Sequence, residues 1–503
     1  MFGVTFHRRA FLVLLTLLGG CMVTSIGMAN VMWVLLLANW LLEGRWHEKW
    51  ALARSSRLLA AVAALFLLHV VGLAWTSNLP QGFHVVERLL PLMAVSLVVL
   101  TTRPPQGRPR SVILALYMGT VAVVSAIGFV RWLTIPDLPY RDIVPFISHI
   151  RFALNCCMVV FLAVFAPRFF VRGRWGRVEV AVRVVLVVWM LAFLFLLRSY
   201  TAFAVLLLAS LVAACSSRRR WLWVTVWVAV AGGMAAYVAV EYDRYYRLQP
   251  VAQQPLAQST ANGRPYEHHQ DGFVENGNFV NNYLCYDELR SEWLRRSGIP
   301  FDHPTSAGFT VGNSLVRYLN ALGLPKDSVG VATLTDAQVA EIAAGVSNPV
   351  FRHGSLPKRM LHVLFFEYES YRCYHSVAGF SMLQRMELWR TALHIVERHP
   401  WCGVGTGDLC EAMEDDFRAC RSPLEGSGLM PHNEYLTLMA LLGLPLFALL
   451  TLLFLRATPR LRHQPLVMAL WLLAILVSCL TENTIDSLAG ILFSTWFLAF
   501  RRD

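Results

Sequence analysis

The sequence VEVAVRVVLVVWMLAFLFLLR, residues 178–198, is an apolar run that ends on Arg198. A second apolar run, YLTLMALLGLPLFALLTLLFL at residues 435–455, follows closely after His432. Each run is close to the roughly 20 residues that a helix needs to cross the hydrocarbon of a bilayer. Ionisable side chains at the ends of such helices are costly to bury, so Arg198 and His432 are candidates for a functional site.

The composition predicts an all-α, polytopic membrane protein. Of 503 residues, 56% are hydrophobic and 15% are charged, and the mean hydropathy is +0.50. A soluble protein could not bury so much apolar surface, so the lipid bilayer is an expected partner. The net charge of +12 does not indicate nucleic-acid binding, because the arginines lie mostly in short loops, where they set the orientation of the helices.

Twelve apolar stretches predict about twelve transmembrane helices. They cover residues 10–27, 29–43, 58–76, 85–101, 111–130, 151–167, 179–197, 199–216, 221–240, 433–455, 464–481 and 486–500. Basic residues fall on every second connection, which predicts that both termini are cytoplasmic. The chain would then comprise spans one to nine in residues 1–240, an outer domain in 241–431 and spans ten to twelve in 432–503.

The outer segment is predicted to be helical. Helices are expected at Tyr286–Ser297, Val311–Leu322, Thr335–Ala344 and Met382–His399. The glycine-rich sequence GVGTG at residues 403–407 follows the last of these helices. Such a sequence is typical of a tight turn or of a backbone cradle for phosphate, and both alternatives remain open. The spacing of cysteine and histidine residues is not that of a zinc site, so no metal is predicted.

The stretch from Arg385 to Leu450 resembles the O-antigen ligase family. It contains Arg385-x3-Trp389, then HPWCGVGTGD at residues 399–408, then PHNEYLTLMALLGLPLFALL at residues 431–450, in which His432 and Gly443 form an H-x10-G pattern. The Glu87-Arg88 pair and the run at residues 148–152 are similar to the variant of this family with an enlarged outer loop. The insert is longer than in the commonest members, so the acceptor could differ from ordinary lipid A-core.

The resemblance implies a GT-C-like glycosyltransferase that moves a glycan from undecaprenyl pyrophosphate to a lipid acceptor such as lipid A-core. The reaction would occur at the periplasmic face of the bacterial inner membrane, with inversion and without a metal or other cofactor. Arg198 and Arg385 would bind the pyrophosphate, because a guanidinium stays charged and forms bidentate contacts. His432 would act as general base, since imidazole exchanges protons near neutral pH. The expected substrate-binding residues are Arg88, His149, Arg151, Gly405, Gly407 and Asn433.

Other interpretations of these residues and of the chain remain open. His432 and Arg198 could bind phospholipid headgroups, and Arg385 could lie on a solvated helix face. Glu482 and Asp486, in the last outer turn, could orient His432 or a sugar hydroxyl. An O-antigen polymerase, which extends a lipid-linked polysaccharide, shares the outer-loop motifs. A lipid-linked sugar transporter is disfavoured because the two halves of the chain show no internal repeat.

Overall fold

The computed structural model describes residues 4–136, 138–167, 173–250, 255–269, 272–305, 309–375, 377, 381–457 and 464–501. Within these ranges the chain is mostly helical, which confirms the predicted class. The chain divides into two compact units. The first unit comprises Met1–Val224 and Leu388–Asp503, and the second unit comprises Thr225–Glu387.

The described helices are α1 (Val4–Thr24), α2 (Ile26–Glu43), α3 (Trp46–Ser55), α4 (Arg57–Val71), α5 (Leu79–Thr101), α6 (Gly107–Thr134), α7 (His149–Phe165), α8 (Gly173–Leu197), α9 (Tyr200–Ser216), α10 (Arg220–Tyr246), α11 (Tyr286–Ser297), α12 (Val311–Ala321), α13 (Ser328–Ala332), α14 (Asp336–Ala343), α15 (Val350–His353), α16 (Leu356–Tyr374), α17 (Ser381–Arg398), α18 (Leu409–Ala419), α19 (Glu434–Ala457), α20 (Leu466–Thr481) and α21 (Leu488–Trp496). Short 3₁₀ turns follow α4 (Gly72–Trp75), precede α21 (Thr484–Asp486) and extend it (Phe497–Phe500).

Eight of the described helices are long and apolar enough to cross a membrane: α1, α2, α4 with its 3₁₀ turn, α5, α6, α8, α10 and α19. Four shorter apolar helices, α7, α9, α20 and α21, occupy the remaining positions at which the sequence predicts spans. The chain is therefore a membrane protein with at least eight candidate spans among its described residues. The count of twelve stays a prediction.

Short polar side chains fix where several helices of the first unit begin. The side chains of Ser25, Ser56, Asn78, Ser199 and Ser487 accept a hydrogen bond from a backbone N–H of the first turn of α2, α4, α5, α9 and α21, respectively. Such caps satisfy backbone donors that have no partner within the helix. They define the corners between successive helices, where the polar residues of the site lie.

The core of the first unit joins its N-terminal helices to its C-terminal helices. Trp496 is fully buried, packs on Tyr117 of α6 and donates from Nε1 to the backbone oxygen of Leu15 at 2.8 Å. The Tyr117 hydroxyl in turn donates to Asn155 Oδ1 of α7 at 2.7 Å. The buried polar atoms of Trp496 and Tyr117 thus find hydrogen-bond partners within the bundle.

The second unit has a helical core and one small hairpin, with strands β1 (Val274–Glu275) and β2 (Asn278–Phe279). The hairpin turns on Asn276 and Gly277, whose φ angles are 55° and 75°. Asn-Gly is the dipeptide that favours such a two-residue turn. The prediction of a helical segment did not include this hairpin, because strands of two residues show no side-chain alternation. The helices predicted at 286–297, 311–322 and 335–344 are confirmed to within about one residue.

Candidate functional site

His432 lies in a strained turn at the start of α19. Its backbone adopts φ of 50°, and the next residue, Asn433, caps the helix by accepting hydrogen bonds from the N–H groups of Tyr435 and Leu436 at 3.0 and 3.1 Å. The side chain of His432 is 37% exposed, and its Nδ1 lies 3.6 Å from Glu482 Oε2. Non-glycine residues with positive φ are uncommon and cluster at functional sites. The turn therefore directs one imidazole nitrogen toward a carboxylate and leaves the ring accessible.

Glu482 belongs to a polar loop, residues 482–486, that connects α20 to α21. The guanidinium of Arg151 on α7 binds this loop and the end of α20. Its Nη2 donates to the backbone oxygen of Asn483 at 2.7 Å, and its Nη1 donates to Ser478 Oγ at 3.4 Å. Arg151 is 8% exposed. Its hydrogen bonds are directed to the protein, and they fix the backbone beside Glu482.

Two carboxylates tie the same loop to α19 and α5. Glu434, which is buried, accepts a hydrogen bond from the N–H of Ile485 at 2.9 Å. Asp486 accepts from Arg88 Nη1 of α5 at 3.1 Å, and both of these side chains are at least 41% exposed. Arg88 therefore presents much of its guanidinium to solvent near the loop that carries Glu482.

Arg198 and His149 meet at the ring of Tyr140. Arg198 is exposed, has φ of 50° between α8 and α9, and lies with Cζ 5.7 Å from the Tyr140 ring centre. The same ring contacts the His149 imidazole edge-on at 5.5 Å. His149 opens α7 two residues before Arg151. Arg198 therefore contacts, through Tyr140, the start of α7, the helix that also carries Arg151.

The glycine-rich loop packs against the corner between α4 and α5. Gly407 donates its N–H to Thr76 Oγ1 at 3.2 Å, and Gly405, with φ of 94°, leaves no room for a Cβ beside Thr76. Asp408 follows, and its carboxylate accepts from the backbone N–H groups of Ser77 and Asn78, both at 2.7 Å. The N–H groups of this loop are committed to protein acceptors, which favours the tight-turn alternative over the phosphate cradle.

A break in α19 receives the first residues of this loop. Gly443 has φ of 77° and ψ of 166°, and Pro445 follows it, so the helical hydrogen bonds fail at this point. The oxygens of Ala440 and Leu441 instead accept from the N–H groups of Val404 and Gly405 at 2.9 and 3.2 Å. The histidine of the H-x10-G pattern is therefore the catalytic candidate His432, and its glycine is the helix break at Gly443. The backbone oxygens before this break bind the GVGTG loop.

A cleft of the first unit opens beside these groups. It is lined by residues of α5, the glycine-rich loop, the start of α19 and the 482–486 loop, among them Arg88, Gly407, Met430, Glu434, Asn483 and Asp486. Apolar side chains such as Val85 and Leu89 complete its walls. Pockets that combine apolar walls with a few polar groups are the usual place for a ligand.

Arg385 lies in the second unit and is half-buried on α17. It is the one predicted site residue of that unit, and the other eight belong to the first unit. Among the supporting residues, sequence reasoning missed Ser478, Asn483, Glu434 and Asp408. The polar run Glu482–Asp486 between two apolar stretches was the available signal for the loop, whereas the partners on other helices had none.

Comparison with known proteins supports the same segment of the chain. Residues 342–451 match the family model described as O-antigen ligase, and this range contains Arg385, Gly405, Gly407, His432 and Asn433. No curated protein matches the chain. The turn of His432, the helix break at Gly443 and the glycine-rich loop all lie within the matched segment. The chain thus contains a segment, residues 342–451, that is similar to the O-antigen ligase family, a family of membrane glycosyltransferases of the ligase and polymerase type.

Proposed function

We propose that this protein transfers a glycan from undecaprenyl pyrophosphate to a hydroxyl of a lipid acceptor, such as lipid A-core. The observation that carries this proposal is the pairing of His432 with Glu482 on a loop that Arg151 and Arg88 hold from two helices. A base oriented by a carboxylate, beside guanidinium groups, suits attack by a hydroxyl on a sugar whose leaving group is a pyrophosphate.

His432 is the general base in this reaction. With Nδ1 directed to Glu482, the other ring nitrogen, Nε2, takes the proton of the acceptor hydroxyl. The hydroxyl oxygen attacks the anomeric carbon as the bond from that carbon to the pyrophosphate oxygen breaks. The electron pair stays on the pyrophosphate, and a single displacement inverts the anomeric centre.

Guanidinium groups stabilise the charge that develops on the pyrophosphate. Arg88 and Arg198 are both exposed, so each can turn toward an anionic headgroup without losing a buried contact. Arg151 is committed to Asn483 and Ser478, and we assign it to holding the loop that carries Glu482. The role of Arg385 in binding the pyrophosphate rests on the sequence pattern. Such preorganised charges contribute strongly to catalysis when they lie where charge develops.

The reaction takes place at the periplasmic face of the inner membrane. This placement follows from the distribution of basic residues, which predicts twelve spans, cytoplasmic termini and a periplasmic segment 241–431. The cleft beside the 482–486 loop, with its apolar walls and Arg88, suits the part of a lipid-linked substrate where chain and headgroup meet. Gly407 lines this cleft, and the assignment of His149, Asn433 and Gly405 to substrate binding rests on the sequence pattern.

A transfer assay with purified protein tests the proposal. Wild-type protein in detergent is incubated with glycan on undecaprenyl pyrophosphate and with lipid A-core, and His432→Ala is compared with it. We expect transfer by the wild type and a loss of roughly 100-fold or more in the variant, the range of a general base. Transfer by His432→Ala at the wild-type rate would refute the assignment. Extension of the lipid-linked glycan without transfer to the core would identify a polymerase instead.

A further inference from the structure

Three metal-binding side chains of the first unit converge between α17 and the end of α18. His394 Nδ1 lies 3.2 Å from Asp416 Oδ2, and Cys420 Sγ lies 3.9 Å from the same oxygen. All three ligand atoms lie within 4.8 Å of one another. Asp416 and Cys420 are four residues apart, which brings them to one face of the helix end, whereas His394 comes from the preceding helix.

The two separations at Asp416 are close to the edge lengths of a zinc coordination sphere. Bonds of about 2.0–2.3 Å from zinc to nitrogen, oxygen and sulfur in a tetrahedron give ligand-to-ligand distances of roughly 3.3–3.6 Å. The two separations at Asp416 lie within a few tenths of an ångström of that range. Imidazole, thiolate and carboxylate are also the ligand types that zinc accepts.

The surroundings of the cluster allow an ion to enter and be held. Asp416 is 1% exposed, whereas His394 is 31% exposed and Cys420 is exposed, so the cluster is open on one side. Arg398 Nη1 contacts the other carboxylate oxygen, Oδ1, at 3.0 Å. Oδ2 therefore faces the histidine and the cysteine, while Oδ1 contacts Arg398. Carboxylates that bind metals commonly have such a second polar partner.

We propose that His394, Asp416 and Cys420 bind one zinc ion, with water as the fourth ligand. The ion links α17 to α18 and so fixes the segment that leads toward the turn of His432. The sequence does not indicate this site, because its ligands are separated by 22 and 4 residues and form no Cys-x-x-Cys pattern. The site is independent of the proposed glycan transfer, and its tests do not require activity.

Metal titration of the full-length protein tests the site. Protein carrying no histidine tag is freed of metal with a chelator and titrated with Zn²⁺ in competition with a chromophoric zinc indicator. We expect one equivalent to bind to the wild type, and His394→Gln and Cys420→Ser to weaken binding at least 100-fold. Matched controls are His399→Gln and Cys402→Ser, which alter exposed residues of the same types nearby and should bind as the wild type does.

Cobalt provides a second measurement that does not depend on stability. Co²⁺ bound to the wild type should give a sulfur-to-cobalt charge-transfer band, and Cys420→Ser should lose it while Cys402→Ser keeps it. Zinc should also raise the melting temperature of the wild type and of the controls. The absence of stoichiometric binding by the wild type, or equal binding by the wild type and Cys420→Ser, would overturn the proposal.

Discussion

Replacing Glu482 by glutamine tests the idea that a carboxylate supports His432. Glutamine keeps the size of the side chain and removes its charge. When His432 takes the proton of the acceptor, the ring becomes an imidazolium facing position 482. We therefore expect Glu482→Gln to lower the catalytic rate more than it changes the apparent affinity for either lipid, because the lost interaction appears in the transition state.

The size of the effect follows from the separation of 3.6 Å between His432 Nδ1 and Glu482 Oε2. Coulomb's law gives about 1 kcal/mol for unit charges at this distance in water and about 4.6 kcal/mol at an effective dielectric constant of 20. His432 is 37% exposed and Glu482 is 13% exposed, so the value lies between these limits. A loss of about 2 kcal/mol corresponds to a rate about 30-fold lower.

The assay is glycan transfer at saturating donor and acceptor, with the rate measured for wild type, Glu482→Gln and Glu48→Gln. Glu48 is a matched control, since it is an exposed carboxylate on α3 whose partner is Arg45. Thermal unfolding of each variant separates a loss of chemistry from a loss of fold. A wild-type rate in Glu482→Gln would refute the orienting role, and an equal loss in Glu48→Gln would point to a general charge effect.

Three further outcomes are expected. Arg151→Met should lower the free energy of unfolding by about 1–3 kcal/mol, and with it the melting temperature, because it leaves the buried oxygen of Asn483 without its donor. It should also reduce transfer, and wild-type values for both measurements would contradict this. Asp408→Ala should destabilise the first unit by about 2 kcal/mol in thermal unfolding, and Asp408→Asn by about half as much, because the amide can accept only one of the two backbone hydrogen bonds. Burial lowers the pKa of Lys326 from 10.5 to about 7, so between these pH values the folded protein carries a neutral lysine while the unfolded chain carries a charged one. The free energy of opening of residues 311–330, measured by hydrogen exchange, should therefore rise with pH across this window by at most about 1.4 kcal/mol per pH unit. Lys326→Met should abolish that rise.

The helical framework was predictable because it depends on local patterns. Apolar runs of near-membrane length located the eight candidate spans and the four shorter apolar helices among the described residues. Polar capping residues located α14, where Thr335 and Gln338 form a complete capping box. The hairpin at residues 274–279 escaped notice because two-residue strands have no measurable alternation. Its Asn276-Gly277 turn was nonetheless a usable signal.

The candidate site was predictable only in its chain-local parts. His432, Asn433 and the glycine-rich loop stand next to one another in sequence with the apolar run that follows. The partners that fix them come from distant positions: Arg151 reaches Asn483, and Asp408 reaches residues 77 and 78 more than three hundred positions away. Those pairings depend on how apolar helices pack, and apolar runs of similar composition carry little information on which neighbour each one takes.

The break in α19 couples two motifs that the sequence presents separately, and Gly443→Ala tests that coupling. An added Cβ would overlap the Trp401 oxygen, and alanine at φ of 77° costs about 1–2 kcal/mol in backbone strain. If residue 401 moves, the hydrogen bonds from Val404 and Gly405 to α19 weaken, at about 1 kcal/mol each. We expect a destabilisation of about 3–4 kcal/mol in thermal unfolding, together with reduced transfer.

Gly27→Ala is the matched control, because a Cβ there meets nothing within 4 Å. A Gly443→Ala protein as stable as the control would show that the loop and the helix break are independent. Retained stability with lost transfer would instead mean that the break positions His432 without supporting the fold. The expected joint loss follows from the hydrogen bonds themselves: Pro445 has no N–H for the Leu441 oxygen, so the glycine-rich loop must supply one.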